Sequence, residues 1–310
     1  MLKEILKKIR HIEIYTNNKI DSIFLGNYRS AFKGRGIEFA DIRPYDMGDD
    51  VRDIDWKTTS KQGEIFVKTY HETRDNTLFF IIDGSSYMHF SSISEHRYKR
   101  LLEAFAILAF SALKNGDRVG ILFYDNSSYK IFPPKKGRKN ILKILKYCVE
   151  QFETTNNLEN YSRSRKSQDE IDFNKIFREV FLFLKQSSSV FWMTGEAIKL
   201  DSIAKKRLKM MRLKHDFTPI VFTDPLEIST SSTILKNMDI NISDMFSKKI
   251  RKIEITDALL QNFRKIRIKK HKEFADFFKK IKSQEIFINA DDNILKKIHI
   301  FFKKKQQTFI

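Results

Sequence analysis

The chain has 310 residues, with 58 Lys and Arg against 39 Asp and Glu, for a formal net charge of +19. Hydrophobic residues at 41%, including 28 Phe, are enough for a buried core, and 10 Gly with 5 Pro exclude a collagen-like or linker-type chain. One cysteine, Cys148, excludes an intrachain disulfide framework and multi-cysteine zinc or iron–sulfur centres.

In the first fifteen residues Leu2, Ile5, Leu6 and Ile9 recur at helical spacing and predict an amphipathic helix. Lys and Glu interrupt it, so it lacks the continuous apolar stretch of a secretory leader. Residues 28–56 are dense in Gly, Arg and Asp and poor in periodic apolar positions, which reads as loop-built or disordered. Tyr28, Phe32, Phe39, Tyr45 and Trp56 give that stretch aromatic anchors for packing against something.

From Thr77 onward strands and helices alternate. The run 77–83 (TLFFIID) is continuously apolar and predicts a strand buried on both faces. Residues 94–114 form a helix closed by Asn115-Gly116, and 117–124 the next strand. Pro133-Pro134 stops the short strand 129–132, which places it at an edge. Helices follow at 138–152, 172–186 and 199–214, with strands at 189–193 and 217–223. A long basic helix over 257–282 with Asp257 as N-cap, a last strand over 285–289 and a helix capped by Asp291 complete the chain. This alternation predicts an α/β fold, a mostly parallel sheet with helices on both faces. It sets residues 1–75, an N-terminal helix and Gly/Arg/Asp-rich segment packed on the sheet, before a domain over 76–310. The working surface of such a sheet lies at the carboxyl ends of its strands, where Asp83 emerges. The longest apolar run, 101–113, is broken by Glu103 and Ser111 and falls short of the about 20 residues a bilayer requires. A soluble, cytoplasmic protein is expected.

Two segments carry candidate chemistry. The turn Asp83-Gly84-Ser85-Ser86-Tyr87-Met88 offers a carboxylate and a hydroxyl, hard oxygen ligands of the kind Mg²⁺ or Mn²⁺ takes. It resembles the Asp-x-Ser-x-Ser opening of the metal-ion-dependent adhesion site of von Willebrand factor A domains, with Tyr87 where the second Ser would stand. The resemblance implies a Thr from a later loop, for which Thr154 or Thr155 would serve, and an Asp after the fourth strand. Gly195 occupies that Asp position and Glu196 comes one residue late. The metal set is therefore Asp83, Ser85 and Thr154, a degraded one. Mg²⁺ is expected to bind weakly or not at all, and Asp83 with Ser85 to order the turn.

The second segment reads Ser30-x-Phe32-x-Gly34-x-Gly36-x-Glu38-Phe39, then Arg43-x-Tyr45-x-x-Gly48-Asp49-Asp50-x-Arg52-x-Ile54-Asp55-Trp56. It resembles the signature of the bacterial family called domain of unknown function 58. Gly116-Asp117-Arg118-Val119-Gly120, Thr223-Asp224-Pro225 with Glu227, and Asp291-Asp292 extend the likeness over nearly the whole chain. The resemblance implies a von Willebrand factor A-like fold and partnership with AAA+ ATPases of the MoxR type. The opposed charges around Gly48 would pair and stiffen the loop. Tyr45 and Trp56 would anchor it on the sheet domain. The same residues, Arg43, Tyr45, Asp49, Asp50, Arg52, Asp55 and Trp56, also form the candidate docking surface.

Other signals are weaker. Gly34-Arg35-Gly36 lacks the Gly-Lys-Ser/Thr ending of a phosphate loop. The seven His show no metal-ligand spacing and read as surface or capping residues, and Cys148 as a small buried side chain. Over 248–310, 18 Lys and Arg face 7 Asp and Glu, but Phe263, Ile266, Phe274, Phe277, Phe278 and Ile281 make that helix an ordinary amphipathic one. The expected function is non-enzymatic: an interaction module or adaptor for a MoxR-type ATPase in protein assembly or maturation. A polyanion-binding protein, for nucleic acid or an anionic membrane surface but without a sequence-specific nucleic-acid module, is the second reading. A metal-dependent hydrolase is the third.

Overall fold

The computed structural model describes residues 37–72, 76–89, 97–125, 128–156, 171–195, 200–224, 239–243, 250–254, 256–289 and 291–307, with residues 7, 10, 13, 20, 24–26 and 28 of the N-terminal segment. Six strands form the central sheet. In chain order they are β3 (Thr77–Asp83), β4 (Arg118–Tyr124), β5 (Tyr129–Lys135), β6 (Ser189–Gly195), β7 (Asp216–Phe222) and β10 (Ile286–Ile288). Their spatial order is β10-β7-β6-β3-β4-β5. Every neighbouring pair is parallel except β4 with β5. This is the expected α/β architecture. β3 sits in mid-sheet because its side chains are apolar on both faces, and from Leu78 to Asp83 all are buried.

Side-chain alternation divides the core in two. Leu78, Phe80 and Ile82 pack under α2 (Arg97–Asn115), α3 (Arg138–Asn156) and α7 (Ile294–Gln307). Phe79 and Ile81 pack on the other face under α4 (Phe173–Phe183), α5 (Ser202–Lys214) and α6 (Asp257–Lys280). Trp192 lies at the centre of that second core, within 6.4 Å of the Phe173, Phe177, Phe217, Phe274 and Phe278 rings. Cys148 is buried in the first, and burial pushes its thiol up to about 12.

Of the predicted N-terminal helix, Lys7, Arg10 and Glu13 are described, and all three are helical. Ile20, Phe24 and Tyr28 join the first core, where Phe24 and Tyr28 each meet Phe302 edge-on at 5.6 Å. The Tyr28 hydroxyl donates to Asp117 Oδ2 at 2.7 Å, and the Asn76 amide donates to Asp117 Oδ1. Asp117, from the Gly116–Gly120 motif, therefore ties the N-terminal segment to the start of β4.

Within the stretch 28–56, the residues from Ile37 onward differ from the sequence expectation. They are not loop-built: β1 (Ile37–Pro44) and β2 (Phe66–Glu72) form an antiparallel pair, joined through a 3₁₀ turn at Val51–Asp53 and helix α1 (Trp56–Gln62). Ile54 and Val67 are buried and bridge each other. A second hairpin, β8 (Asp239–Ser243) with β9 (Ile250–Glu254), was also not expected. The last helix starts later than predicted, because Asn293 and not Asp291 accepts the first free amide, from Lys296. His215 terminates α5 as a cap, but its ring is buried rather than at the surface, and burial lowers it to about 4. Next to it, Asp216 at the start of β7 forms a buried ion pair with Lys305 from α7.

Candidate functional site

The rim at the carboxyl ends of the parallel strands holds Asp83, and its carboxylate is fully engaged within the protein. The Ser85 amide donates to Oδ1 at 2.9 Å and the Thr194 hydroxyl to Oδ2 at 2.7 Å. Behind Thr194 lies the Tyr124 hydroxyl at 3.3 Å, which accepts from Trp192 Nε1. Burial raises the Asp83 carboxyl above its ordinary value, although the hydrogen bonds from Ser85 and Thr194 oppose the shift. Asp83 and Ser85 thus meet as a turn-ordering pair, as one sequence reading has it. Thr154 lies in the last turn of α3, and its side chain is outside the described residues.

The position after β6 explains the degraded pattern. A Cβ built on Gly195 would stand 2.2 Å from Cε1 of Tyr87. The Tyr87 ring thus fills the volume that a carboxylate at 195 would need, so the two departures from the adhesion-site pattern are one packing arrangement. Arg97 lies over the same ring, 4.2 Å from its centroid, and Arg267 from α6 donates to the Tyr87 hydroxyl at 3.3 Å. Both arginines are buried. A hexacoordinate Mg²⁺ needs several free oxygens and no adjacent cations. Here the one carboxylate is already hydrogen-bonded, and the Tyr87 ring, with Arg97 and Arg267 against it, fills the place of the second. Among the described residues no group of three His, Cys, Asp or Glu is disposed to hold a metal. These residues do not fit a divalent ion.

Sequence reasoning did not single out Thr194, Tyr124 or Arg97, and it read Arg267 only as one of the basic cluster on the long helix, where the side chain is in fact buried. Thr194 and Tyr124 were findable by parity: 79, 81 and 83 face one way on β3, as do 122 and 124 on β4 and 190, 192 and 194 on β6. The two arginines come from distant helices, so nothing local joined either of them to the rim.

The signature turn stands on the β1–β2 hairpin. Arg43 pairs with Asp49 at 2.6 Å, and Asp49 also accepts the Asp46 amide at 2.9 Å. The Arg43 guanidinium holds the Asp49 carboxyl below its ordinary value. Gly48 has φ +114°, a conformation that favours glycine at this bend. Asp55 caps α1, accepting from the Lys57 amide and the Thr58 hydroxyl, both at 3.1 Å. The Tyr45 amide donates to Ile65 and the Asp55 amide to Phe66, each at 2.8 Å, which closes the loop on β2. Asp50 is exposed, and the Arg52 side chain lies outside the described residues. The stiffening expected from opposed charges is thus carried by Arg43, Asp49 and Asp55.

One expectation is overturned. Trp56 is not a buried anchor: it is 66% exposed, at the first position of α1. Its place as an anchor is taken by Ile54 and Val67, while Tyr45 is half-buried. Met47 is 99% and Val51 62% exposed, so three large apolar side chains in ten residues face solvent.

The profile of the family described as "Protein of unknown function DUF58" matches residues 41–273, a span that contains both the turn and the rim. The chain belongs to the DUF58 family. Its curated relatives include the uncharacterized proteins Mb1516 of Mycobacterium bovis and Rv1480 of Mycobacterium tuberculosis, each 25% identical over 132 residues. Those residues are 43% of this chain and 42% of each relative, so the chain spans less than half the length of the curated relatives it matches. The uncharacterized protein YeaD of Bacillus subtilis is 24% identical over 110 residues, 36% of this chain and 25% of that protein. Among solved structures, BatB from Bacteroides thetaiotaomicron is 10% identical with a TM-score of 0.42, covering 75% of this DUF58 chain and 99% of that one. A von Willebrand factor type A structure from Catenulispora acidiphila is 12% identical with a TM-score of 0.30, covering 66% and 44%.

Proposed function

We propose that this DUF58 chain is a non-enzymatic protein-interaction module whose signature turn is its docking surface. The observation that carries the reading is the exposure of Met47, Val51 and Trp56 on a turn held rigid by hydrogen bonds and an ion pair. Exposed aromatic and aliphatic anchors on a preorganised polar loop are what binding hot spots are made from, because docking buries them at little ordering cost. The partner implied by the family resemblance is a MoxR-type AAA+ ATPase. The chain would act as its adaptor in protein assembly or maturation, with nucleotide hydrolysis supplied by the partner. A cytoplasmic site of action belongs to the same reading. No helix among the described residues is long and apolar enough to cross a membrane.

The absence of enzymatic activity is likewise our reading. The rim's carboxylate, hydroxyl and phenol hydrogen-bond one another in a closed chain, which favours a structural role over acid–base chemistry. The rim is also read as working without a resident metal. Isothermal titration with Mg²⁺ or Mn²⁺ is therefore expected to give no saturable heat at micromolar concentrations. A low-micromolar dissociation constant that Asp83→Ala abolishes would overturn this.

The docking surface is tested by retention of the purified ATPase on immobilised chain. Trp56→Ala is expected to leave thermal stability within about 0.5 kcal/mol of wild type, as an exposed residue should. Retention should fall by more than about tenfold, the scale of a tryptophan hot spot. Asp50→Lys should do the same through charge. Wild-type retention by both variants would sink the proposal.

A further inference from the structure

At the opposite end of the sheet from Asp83, a second feature opens to solvent between the N-terminal helix and the start of α3. Asn140 places it there, since its side-chain amide donates to the Val119 carbonyl at the beginning of β4. A pocket of about 510 Å³ is lined by Arg10 and Glu13 on one side and Arg138, Lys139, Leu142, Lys143 and Lys146 on the other. That volume falls within the range of small-molecule sites. The lining is five cations, one acid and one leucine.

The acid offsets one of the five positive charges. Glu13 is committed to Arg138, whose Nε and Nη2 reach its two oxygens, the latter at 2.7 Å. This fork fixes Arg138 and joins the two walls. Lys139, Lys143 and Lys146 follow at spacings of four and three residues, so they line one face of α3. Lys146 is 3.7 Å from Glu150, one turn further along. The arrangement works against the helix: its first turn has no acid and carries Arg138 and Lys139, where the positive end of the macrodipole disfavours cations. Cations from two elements border one open concavity whose own surface is mostly their apolar stems, and a compact multivalent anion at its mouth would be matched by them. Charge-assisted hydrogen bonds to its oxygens would neutralise the cluster.

We propose that this pocket binds a soluble oligophosphate, an anion carrying two or more linked phosphate groups. The site is independent of the signature turn and does not rest on the partner reading.

The probe is sodium tripolyphosphate, titrated calorimetrically into the full chain. One saturable site is expected, with an affinity that falls as salt rises. The variant Lys139→Glu/Lys143→Glu should weaken it by about tenfold or more, the loss of one or two charge-assisted hydrogen bonds. Lys206→Glu/Lys209→Glu, on the exposed face of α5, makes the same change in net charge and should alter affinity by less than about threefold. The pocket variant is also expected to melt no lower than wild type, because Glu at 139 suits the first turn of a helix. Lys143→Gln, in mid-helix, gives an independent reading and should weaken binding severalfold. The proposal is overturned by no saturable heat, by equal weakening in the pocket and control variants, or by binding confined to phosphatidic-acid vesicles.

Discussion

Replacing Lys305 with methionine is expected to lower the unfolding free energy by about 3–5 kcal/mol, the cost of leaving a buried charge without its partner. Lys305 and Asp216 both lie inside the protein, where the lysine from α7 meets the first residue of β7. Methionine keeps the length of the apolar stem while removing the ammonium, which lies 5.4 Å from the centre of the Phe301 ring, so the change falls mainly on the charge. The melting temperature should fall by on the order of 10 °C. The double variant Asp216→Asn/Lys305→Met should recover most of the loss, since removing both ions also removes both desolvation costs. Chemical denaturation of the four proteins of that cycle checks it. A single substitution costing under about 1 kcal/mol would show that solvent reaches the pair.

Trp192→Ala should be as damaging, by about 3–5 kcal/mol, for a different reason. The Trp192 side chain is fully buried amid five phenylalanine rings contributed by β7, α4 and α6. Truncation leaves a cavity that three separate elements would have to collapse to fill. It also removes the indole donor to Tyr124, at the far end of the chain that reaches Asp83 through Thr194. Near-ultraviolet circular dichroism and denaturant melts should both change, against near-silence from Trp56→Ala. Equal stability losses from the two tryptophans would refute the placement of both.

The two tryptophans also mark how far the sequence could be read. Thr77–Asp83, Arg118–Tyr124, Ser189–Gly195 and Asp216–Phe222 were legible because strands buried on both faces need continuous apolar runs, and little else produces such runs in short windows. The β1–β2 hairpin was not, because its pairing register shifts between Phe39 and Asp41. Ile37 and Phe39 then fall out of phase with Ile42, so no period-two pattern survives to be seen. Trp56 was read as an anchor on residue type alone, whereas burial depends on neighbours that only the hairpin supplies. At the rim, Asp83 with Ser85 was visible as a local motif. The match of Tyr87 to Gly195 was not, since complementarity of volume between residues 108 positions apart leaves no trace in either neighbourhood.

Both borders of the central sheet are blunted. β5 ends in Pro133-Pro134-Lys135, two residues of which have no amide hydrogen, and β10 at the other border is three residues long. Two prolines on one border and the shortness of the other leave neither with a long row of free amides and carbonyls from which a visiting peptide could continue the sheet. A partner that reaches either border of the central sheet would therefore recognise side chains more readily than lengthen that ladder. Its specificity is then open to change by point substitution on the surface, and the same geometry removes a common route to self-association by edge-to-edge stacking.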